Sequence, residues 1–512
     1  DPDLTLPSLI ASLAGRYGTR ELVLTIVFHP DTSRVGQRAV LSRKQSKRPW
    51  VLGRLGPTFS DSDEEAAAPL DDPHVSRRAL QLETRGKRLV VTRFAGASRC
   101  RVGRSELHDS LVIDRARLCE GVPLLLGHSV VLLLRFDHAE FPPAGPAGDM
   151  GLRGSSNSMA DIRSQIVRAA ESDLDVLIRG ETGTGKELVA ADIHRASQRR
   201  DAPMVSVKMA AVPRELAAAA LFGNVRGAFT GAERASPGYF GQAQRGTLFL
   251  DEIGDAPTEI QPQLLRVLQQ REVQVVGGAV RKVDVRVISA TDSPLDGDES
   301  NFRAALRYRL GAFEINLPPL RKHPEDIGEL LLHFLRRAVV RGGQELALPD
   351  AGSPAADIAA WALLFYTFLD CPWPGNVRQL ENAANQVALS SGGSPSIGPG
   401  LRAMLQGARK ADDTPVPRRS VQDIDQAVFD RAMSDNCFEV RGVARQLGVS
   451  RAAVYRRIAA SPHYRLAHEI PARELRGGLA EVGQDIGALA AHFRVPVNSL
   501  RSRLRELELD GQ

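Results

Sequence analysis

A glycine-rich loop at residues 180–186 has the composition and spacing of a phosphate-binding loop. Residues 175–186 read DVLIRGETGTGK, an apolar run followed by G-x-x-x-x-G-K, with Gly180, Gly185 and Lys186 at the defining positions. The glycines let backbone N–H groups face phosphate oxygens, and the following helix start adds partial positive charge. The next residue is Glu187 rather than the Ser or Thr that would bind magnesium. Taken alone, the loop predicts either a nucleotide site or a plain turn.

Two carboxylates further along the chain favour the nucleotide site. Residues 246–255 read GTLFLDEIGD, an apolar strand that ends in Asp251 and Glu252. A carboxylate at the carboxyl end of a parallel strand lies where phosphates bind. Asp251 can hold Mg²⁺ through water and Glu252 can orient the attacking water, as phosphoryl transfer requires. Acidic residues also cap many strands, but beside a phosphate-binding loop they predict binding of ATP and Mg²⁺.

Residues 227–232 read GAFTGA, a stretch without any acid–base group. Gly227 and Gly231 permit backbone angles closed to other residues, so the segment is expected to bend sharply. Phe229 and Thr230 would then stand on a flexible mount, and an ordinary glycine turn with a half-buried phenylalanine is the alternative.

Composition divides the 512 residues into three segments. Stretches rich in Pro, Gly and Ser at 141–158, 390–400 and 412–420 are typical of domain borders. Short β-rich runs precede the first border, strands and helices alternate in the centre, and the last segment is helical throughout. Four scattered cysteines and the absence of a signal peptide or bilayer-length apolar run predict a cytoplasmic protein that does not interact with membranes.

Eight central motifs together resemble one known family. In chain order they are GETGTGKE, GAFTGA, GTLFLDEIGD, LLRVLQQREVQVVGG, VDVRVISATD, FRAALRYRL, LPPLRKHPEDI and WPGNVRQLEN. They resemble the AAA+ domain of bacterial enhancer-binding proteins, the ATP-dependent activators of sigma-54 RNA polymerase. In that family Glu after the P-loop lysine is usual, which accounts for Glu187.

This resemblance implies a homo-oligomer, expected to be a hexameric ring, in which neighbouring subunits share each ATP site. Arg303 and Arg309 match the arginines offered to the neighbouring γ-phosphate, and Arg378 matches the arginine of the lid that senses the nucleotide. With Asp251 and Glu252, Arg303 and Arg309 form the expected catalytic set. The expected nucleotide contacts are Gly180, Glu181, Thr182, Gly183, Thr184, Gly185, Lys186, Glu187, Asp292 and Arg378. The expected contacts with sigma-54 are Gly227, Ala228, Phe229, Thr230, Gly231 and Ala232.

The chain departs from the family pattern in three places. Lys208 stands in KMAA where the family has the Asn of NCAA, and this lysine could pair with Glu252 or point to solvent. Asp292 replaces the Asn after VISAT, so a carboxylate near the phosphates would repel them unless a cation offsets it. AAAA at 217–220 replaces an acidic stretch. These departures leave the hydrolysis rate open.

The C-terminal segment resembles the Fis-type helix-turn-helix of the same family. Residues 440–458 show apolar positions at helical spacing, a glycine and an N-cap serine, which predicts a recognition helix over Ser450–Arg457. All 15 basic residues after position 417 are arginines, which suits contact with double-stranded DNA. A plain helical hairpin is the alternative. The candidate DNA contacts in this unit are Ser450, Arg451, Tyr455, Arg456 and Arg457.

A shift of 46 residues superimposes this unit on residues 485–507. The shift pairs Val454 with Leu500 and Arg457 with Arg503, which adds Arg501 and Arg503 as candidate DNA contacts. Tandem DNA readers are the favoured interpretation, and a dimerisation helper is the alternative.

The N-terminal segment resembles a forkhead-associated domain, a β-sandwich that binds phosphothreonine peptides. Arg54 and Ser76 occupy that family's phosphate-binding positions, and Arg77 stands beside Ser76. The family's histidine is replaced by Ala79, so an interaction module without phosphopeptide binding is the alternative.

The sequence thus predicts a multidomain chain: an N-terminal all-β sandwich, a central α/β AAA+ P-loop ATPase with a helical lid, and a C-terminal all-α helix-turn-helix region. The predicted function is ATP-driven activation of sigma-54 RNA polymerase from upstream DNA sites. A nucleotide-binding, DNA-binding regulator or scaffold with attenuated ATPase is the alternative. The predicted boundaries are 20–140 for the sandwich, 150–320 for the ATPase subdomain, 321–395 for the lid, 420–460 for the first helix-turn-helix and 470–510 for the second.

Overall fold

A computed structural model describes residues 20–412 with short gaps, and a discontinuous set of residues between 426 and 507. The chain divides into two compact units at Lys410 and Ala411. In the described part of the chain, no helix is long and apolar enough to cross a membrane. The gaps before residue 413 are 43–48, 62–66, 87, 140–150, 294, 296–301, 343–347, 351 and 391–393.

Residues 20–138 form two antiparallel sheets with an apolar core between them. One sheet has the strand order β2-β1-β10-β9-β6-β7, the other has the order β3-β4-β5-β8, and a short helix, α1, precedes β9. The elements are β1 (Arg20–Phe28), β2 (Arg38–Leu41), β3 (Trp50–Leu52), β4 (Leu80–Arg85), β5 (Arg88–Arg93), β6 (Cys100–Val102), β7 (Ser105–Glu106), β8 (Ser110–Ile113), α1 (Arg115–Glu120), β9 (Val122–Leu126) and β10 (Val130–His138).

Strand β10 is buried on both faces, which explains its nearly continuous apolar sequence. Side chains of a strand alternate between its two faces. Leu132 and Leu134 therefore enter the sandwich core, whereas Val131 and Leu133 join a second core that includes helices of the lid. Because both faces are covered, the larger sheet of the sandwich is packed directly onto the lid.

Residues 151–316 form a five-stranded parallel sheet with helices, which confirms the predicted α/β organisation of the centre. The strand order is β12-β13-β16-β11-β17, so β11, which precedes the phosphate-binding loop, lies between β16 and β17. The strands are β11 (Val176–Arg179), β12 (Met204–Lys208), β13 (Thr247–Asp251), β16 (Arg286–Thr291) and β17 (Phe313–Asn316), with the hairpin β14 (Glu272–Gln274) and β15 (Val280–Lys282). The helices are α2 (Asn157–Glu171), α3 (Lys186–Ala196), α4 (Ala217–Phe222), α5 (Gly238–Gln242), α6 (Gln261–Gln270) and α7 (Ala304–Leu310).

Four helices form the lid: α8 (Ile327–Gly342), α9 (Ala355–Leu369), α10 (Asn376–Ser390) and α11 (Pro399–Asp412). Leu401 and Leu405 of α11 pack in the same core as Trp361 and Phe365 of α9. The lid core thus extends past residue 395, where the sequence had suggested its end. The Gly-Pro-Gly at 398–400 has the composition of a linker, yet Pro399 begins this helix.

The second unit contains two small apolar cores whose members lie 46 residues apart. Phe429, Val454 and Ile458 are buried in one core, and their counterparts Leu475, Leu500 and Leu504 are buried in the other. The repeat read from the sequence therefore corresponds to equivalent packing positions. The described helices of this unit are α12 (Gln426–Asp435), α13 (Ala472–Val482) and α14 (Ile486–Phe493).

Candidate functional site

The phosphate-binding loop joins β11 to α3, and hydrogen bonds between its own residues stabilise its conformation. Lys186 is buried, and its Nζ donates a hydrogen bond to the Gly180 carbonyl at 2.9 Å. The Thr184 hydroxyl donates to the Glu181 carbonyl at 2.7 Å. Gly183 has a φ of +80°, and a Cβ there would overlap the carbonyl of Gly375. The glycine at 183 is therefore required both by the backbone angle and by close contact with the lid.

The two predicted carboxylates lie where β13 ends, beside the lysine of the loop. Asp251 is the last residue of β13 and is buried, and Glu252 follows with a φ of +52°. The Nζ of Lys186 is 3.8 Å from Oε1 of Glu252. Burial raises the pKa of the Glu252 carboxyl above its ordinary value; Lys186 opposes this shift, whereas Asp292 and Asp251 add to it. These residues place one cation and two carboxylates at the same edge of the sheet.

Asp292 is held against both halves of this site. Its carboxylate accepts a hydrogen bond from the Thr182 hydroxyl, and its backbone N–H donates to Oε2 of Glu252 at 3.4 Å. The hydrogen bond from Thr182 lowers the pKa of the Asp292 carboxyl, although partial burial acts in the opposite direction. The carboxylate that replaces the family's asparagine is thus bound by a hydroxyl and placed near Lys186.

Lys208 ends β12 and is paired in register with Asp251 of β13. The side chain is exposed and lines the same pocket as Asp251 and Glu252. The ion pair of Glu252 in the described structure is with Lys186 rather than with Lys208. Lys208 therefore adds positive charge near Glu252 without holding it.

The lid contacts the phosphate-binding loop through a buried asparagine that the sequence analysis did not single out. Asn376 has a φ of +51°, and its amide donates hydrogen bonds to Oε2 of Glu181 and to the Thr182 carbonyl, both at 3.1 Å. Its Oδ1 accepts from the backbone N–H of Leu320 at 2.9 Å. The sequence signal for this asparagine was the turn Pro-Gly-Asn that leads into α10, because asparagine is one of the few residues that tolerates positive φ.

Arg321 and Arg378 complete the contact between the lid and the loop. The guanidinium of Arg321 binds both carboxylate oxygens of Glu181, which lowers the pKa of that carboxyl. The backbone N–H of Arg378 donates to the Gly183 carbonyl at 3.2 Å, and Arg378 lines the pocket. Glu181 therefore links the loop to the lid instead of facing a ligand.

A pocket of about 570 Å³ opens between the phosphate-binding loop, the strand ends and the lid. Its lining includes most of the predicted nucleotide residues, whereas Gly180, Glu181 and Asp292 are not among them. The lining also includes apolar side chains, among them Leu152, Leu317, Leu330 and Phe334. This size and this mixture of charged and apolar groups suit a ligand with an apolar ring and a phosphate tail. The predicted residues that line it are Thr182, Gly183, Thr184, Gly185, Lys186, Glu187, Asp251, Glu252 and Arg378.

The two predicted arginines at 303 and 309 are not among the residues that line this pocket. Arg303 is exposed and occupies the N-cap of α7, whereas Arg309 lies in the last turn of that helix. Arg309 is partly buried, and its guanidinium donates to the Leu268 carbonyl at 2.8 Å and 3.1 Å. Of the two side chains, that of Arg303 is therefore the more accessible.

Residues 227–232 form a turn that is exposed except at Ala232, which is buried, and Ala228, which is partly buried. Gly227 and Gly231 have φ values of +77° and +98°, as the sharp bend required, and a Cβ at either position would meet no atom within 4 Å. The backbone N–H of Gly227 donates to the Ala232 carbonyl at 2.8 Å, which closes the turn. Phe229 and Thr230 are exposed at its tip.

A buried asparagine fixes the base of this turn. The amide of Asn224 donates to the carbonyls of Val225 and Arg234 at 3.1 Å and 3.0 Å. Thus the base of the turn is anchored while its tip projects.

Comparisons with known proteins identify the central part of the chain. Residues 152–316 match the family model described as "Sigma-54 interaction domain". The predicted sigma-54-type P-loop ATPase domain in the centre of the chain is confirmed. The NtrC transcriptional regulator of Azospirillum brasilense is 44% identical over 276 residues, which cover 52% of this chain and 55% of that protein. The Nif-specific regulatory protein of the same organism is 42% identical over 253 residues, or 49% of this chain and 38% of that protein.

The chain spans about half the length of the curated relatives it matches first. Among solved structures, NtrX from Brucella abortus in complex with ATP is 29% identical, with 60% of this chain and 69% of that chain covered and a TM-score of 0.41. The Sigma-54 interaction domain contains the phosphate-binding loop, the strand-end carboxylates and the exposed turn. The N-terminal and C-terminal candidate sites lie outside the matched residues.

In the N-terminal sandwich, Arg54, Ser76 and Arg77 are brought together by the backbone. The N–H of Arg54 donates to the Ser76 carbonyl at 2.9 Å, and a Cβ at Gly53 would overlap the carbonyl of Arg77. Ser76 and Ser98 also bind each other, since the Ser98 N–H donates to the Ser76 hydroxyl at 2.8 Å and the Ser76 N–H donates to the Ser98 hydroxyl at 3.2 Å. The Ser76 hydroxyl proton remains free to donate to an anion.

In the second unit, four of the seven candidate DNA contacts lie outside the described residues: Ser450, Arg451, Tyr455 and Arg456. Arg457 is partly buried, with its guanidinium 4.7 Å from the centre of the Phe429 ring and bonded to Gln426 at 3.0 Å. Arg503, its counterpart in the repeat, is also partly buried, whereas Arg501 is exposed. Arg457 thus packs against its own core, and of the three described arginines Arg501 is the most accessible.

Proposed function

We propose that this protein hydrolyses ATP to activate sigma-54 RNA polymerase. The observation that carries the proposal is the position of Lys186, Asp251 and Glu252 around one pocket, in a domain that matches the sigma-54 interaction family. The exposed GAFTGA turn on the same domain supports it. Because the partner is the polymerase, the protein is expected to act in the cytoplasm.

The residues of the pocket fit ATP and Mg²⁺. Backbone N–H groups of the loop and the Lys186 ammonium would bind the phosphates, and Asp251 is a buried carboxylate at the strand end where a hard cation is bound through oxygen or water. The cation would neutralise charge on the phosphates when bound. Glu252, held by the N–H of Asp292, would orient the water that attacks the γ-phosphate.

A ring of subunits would complete the site. Arg303 is exposed and is not among the residues lining the pocket of its own subunit, so it is available to a neighbouring γ-phosphate. An arginine in that position stabilises transition-state charge and contributes about 10³-fold or more to the rate. The bonds of Arg309 to Leu268 favour a supporting role for the second arginine. The ring is proposed to be a hexamer.

The turn at 227–232 would touch sigma-54 through Phe229 and Thr230. An exposed aromatic supplies contact area, and the two glycines leave the tip free to move with the nucleotide state.

At the two ends of the chain, the helices of the second unit would bind double-stranded DNA and the sandwich would bind a phosphothreonine protein. The pairing of equivalent core residues 46 positions apart supports two DNA-reading units. The convergence of Arg54, Ser76 and Arg77 supports a phosphate site, because a guanidinium and a hydroxyl are offered together.

A second candidate function is a nucleotide-gated DNA-binding regulator with attenuated ATPase. Lys208 and Asp292 favour it, because Lys208 places a charge in the pocket and Asp292 places one beside Glu252, where the related family has neutral asparagine.

ATP hydrolysis by the full chain, titrated in protein concentration, separates the two candidates. We expect turnover per subunit to rise steeply with concentration for the wild type and for Thr230→Ala. It should fall at least about 100-fold for Glu252→Gln, the usual cost of removing such a base. Thr230→Ala should still fail to open a sigma-54 promoter in a transcription assay.

The variant Lys208→Asn tests the second candidate. If the wild type binds ATP but hydrolyses it only when Lys208 is replaced, the lysine is a brake. If neither hydrolyses bound ATP, the motor is excluded and the regulator is supported.

A further inference from the structure

A groove of about 480 Å³ separates the sandwich from helix α9 of the lid. One wall is formed by β6, β9 and the turn before β10, and the other by α9. Two further contacts join the sandwich to α9 and the residue that follows it: the Tyr366 hydroxyl donates to the Gly103 carbonyl, and Arg104 binds Asp370 at 3.1 Å. The wall from α9 presents one helical face: Ala356, Ala359, Ala360 and Leu363.

The charged groups that line this groove are two arginines and one glutamate. Arg99, Arg101 and His128 face it from the sandwich, and Glu106 is the acidic group among the lining residues. The side chain of Arg99 is 74% exposed and lies 3.9 Å from Glu106. Arg101 is exposed beside Leu125, its partner in register on β9. The groove thus combines the apolar wall from α9 with exposed guanidinium groups of the sandwich.

The loop that carries Ser76 is linked by contacts to residues that line the groove. Arg99 follows Ser98, which is bonded to Ser76 at 2.8 Å. The Arg99 carbonyl accepts from the N–H of Gly127 at 3.0 Å, and a Cβ at Gly127 would overlap the carbonyl of His74. The loops around residues 74–76, 98–99 and 127–128 therefore meet, so the loop of the proposed phosphate site contacts segments that line the groove.

We infer that this groove binds the acidic residues that flank a phosphothreonine, so that the bound peptide touches the lid as well as the sandwich. The inference rests on the proposed phosphothreonine site and adds the charge of the partner and the second domain it contacts. The phosphate would lie at Arg54 and Ser76, and the acidic flank would run past Arg99 and Arg101 onto α9. Carboxylates match the guanidinium groups, and the aliphatic parts of the peptide match the alanine face.

The path from α9 to the nucleotide pocket is short. Trp373 and Asn376 follow α9 directly, and Asn376 is bonded to Glu181 and Thr182 of the phosphate-binding loop. Helix α9 is thus connected, through the short segment that ends at Asn376, to the phosphate-binding loop. We therefore expect a peptide bound on α9 to change the ATPase rate of the full chain.

The test measures binding of three labelled peptides to the full chain by fluorescence anisotropy. One carries phosphothreonine with two Asp residues on each side, the second carries phosphothreonine with Ser in place of Asp, and the third is the acidic peptide without phosphate. We expect the acidic phosphopeptide to bind about fivefold to tenfold more tightly than the neutral one, as two or three exposed charge pairs allow.

Two exposed substitutions on opposite walls locate the flank. Arg101→Ala on the sandwich and Leu363→Glu on the lid should each remove the preference for the acidic peptide and leave the affinity for the neutral phosphopeptide unchanged. Leu363 is 47% exposed, so the change should not affect folding. The controls Arg88→Ala on β5 and Leu389→Glu on α10, also exposed, should keep the preference.

The outcomes separate this inference from the proposed phosphate site. If phosphopeptides bind but neither the flanking charge nor Leu363→Glu matters, the groove assignment is wrong and the phosphate site stands. If the acidic peptide binds without phosphate and Arg101→Ala abolishes this binding, the groove stands and the phosphate site fails. If none of the peptides binds, both are wrong.

Discussion

The nucleotide pocket and the GAFTGA turn belong to one domain and use glycines with similar backbone angles, yet their surroundings are opposite. Gly183 in the pocket has a φ of +80° and is packed against the Gly375 carbonyl of the lid. Gly231 in the turn has a φ of +98° and has no atom within 4 Å of its Cβ position. The phosphate-binding loop is held by the lid, whereas Gly231 lies in an exposed part of the turn, beside the exposed Phe229 and Thr230.

Glycine therefore has a different structural role in each of the two regions. In the pocket, glycine allows close approach, so that a movement of the lid reaches the phosphate-binding loop directly. In the turn, the two glycines add no side chain that packs on neighbouring residues. The position of the tip therefore follows that of the domain that carries the turn. A motor that converts nucleotide state into movement of an exposed tip needs both arrangements.

Replacing glycine by alanine on each side tests this comparison most strongly. Gly183→Ala should weaken ATP binding at least about tenfold, because the new methyl group collides with the backbone of the lid and the φ value costs about 1–2 kcal/mol. Gly231→Ala carries the same cost in backbone conformation without a collision, so ATP affinity should stay within about twofold of wild type. Titration with a fluorescent ATP analogue measures both affinities.

Equal losses of ATP affinity in the two variants would contradict the contrast between a packed and an open glycine. Gly227→Ala is a second control on the turn, since a Cβ there also meets no atom within 4 Å.

The contact between Asn376 and the loop provides the next test. Asn376→Ala leaves the N–H of Leu320 without its partner and removes two bonds to the phosphate-binding loop. An unsatisfied buried donor costs about 1–3 kcal/mol. We expect a lower Tm and a KM for ATP that is several-fold higher. Asn382→Ala, on the exposed side of the same helix, is the matched control and should change neither.

If Asn376→Ala lowered the Tm but left the KM for ATP unchanged, the asparagine would stabilise the lid without positioning the loop.

The two regions also differ in how far the sequence could predict them. Spacing alone placed Lys186, Asp251 and Glu252 around one pocket, because a loop after one parallel strand and a carboxylate after another meet at the same edge of the sheet. The sharp bend of the turn followed from its two glycines. In both cases the deciding interactions are local to a short motif.

What the sequence could not predict depends on contacts between distant segments. The bonds of Asn376 to Glu181 and Thr182 join residues nearly 200 positions apart, and they appear only when the lid is folded over the loop. The second buried face of β10 likewise required the lid helices that pack on it. The position of Arg457 on its helix predicts a DNA contact. Its packing on Phe429 could not be predicted, because this contact depends on the fold of the unit.

The smallest expected effect concerns Asp292 and the pH dependence of hydrolysis. Glu252 must be ionised to orient water, and its pKa is raised by burial and by the charges of Asp292 and Asp251. Activity should therefore rise with pH through this raised pKa. Asp292→Asn removes one charge that raises it but keeps an oxygen that accepts from Thr182. The acidic limb of the kcat profile should therefore move to lower pH.

Lys208→Asn is the control for this shift. Lys208 lines the pocket but is not among the principal charges that act on Glu252, so its replacement should change the rate without moving the acidic limb. A limb that moved with Lys208→Asn and stayed in place with Asp292→Asn would reverse the assignment. The exposed Lys208 would then be the charge that controls the pKa of Glu252, and the hydrogen bond from Thr182 to Asp292 would only stabilise the loop conformation.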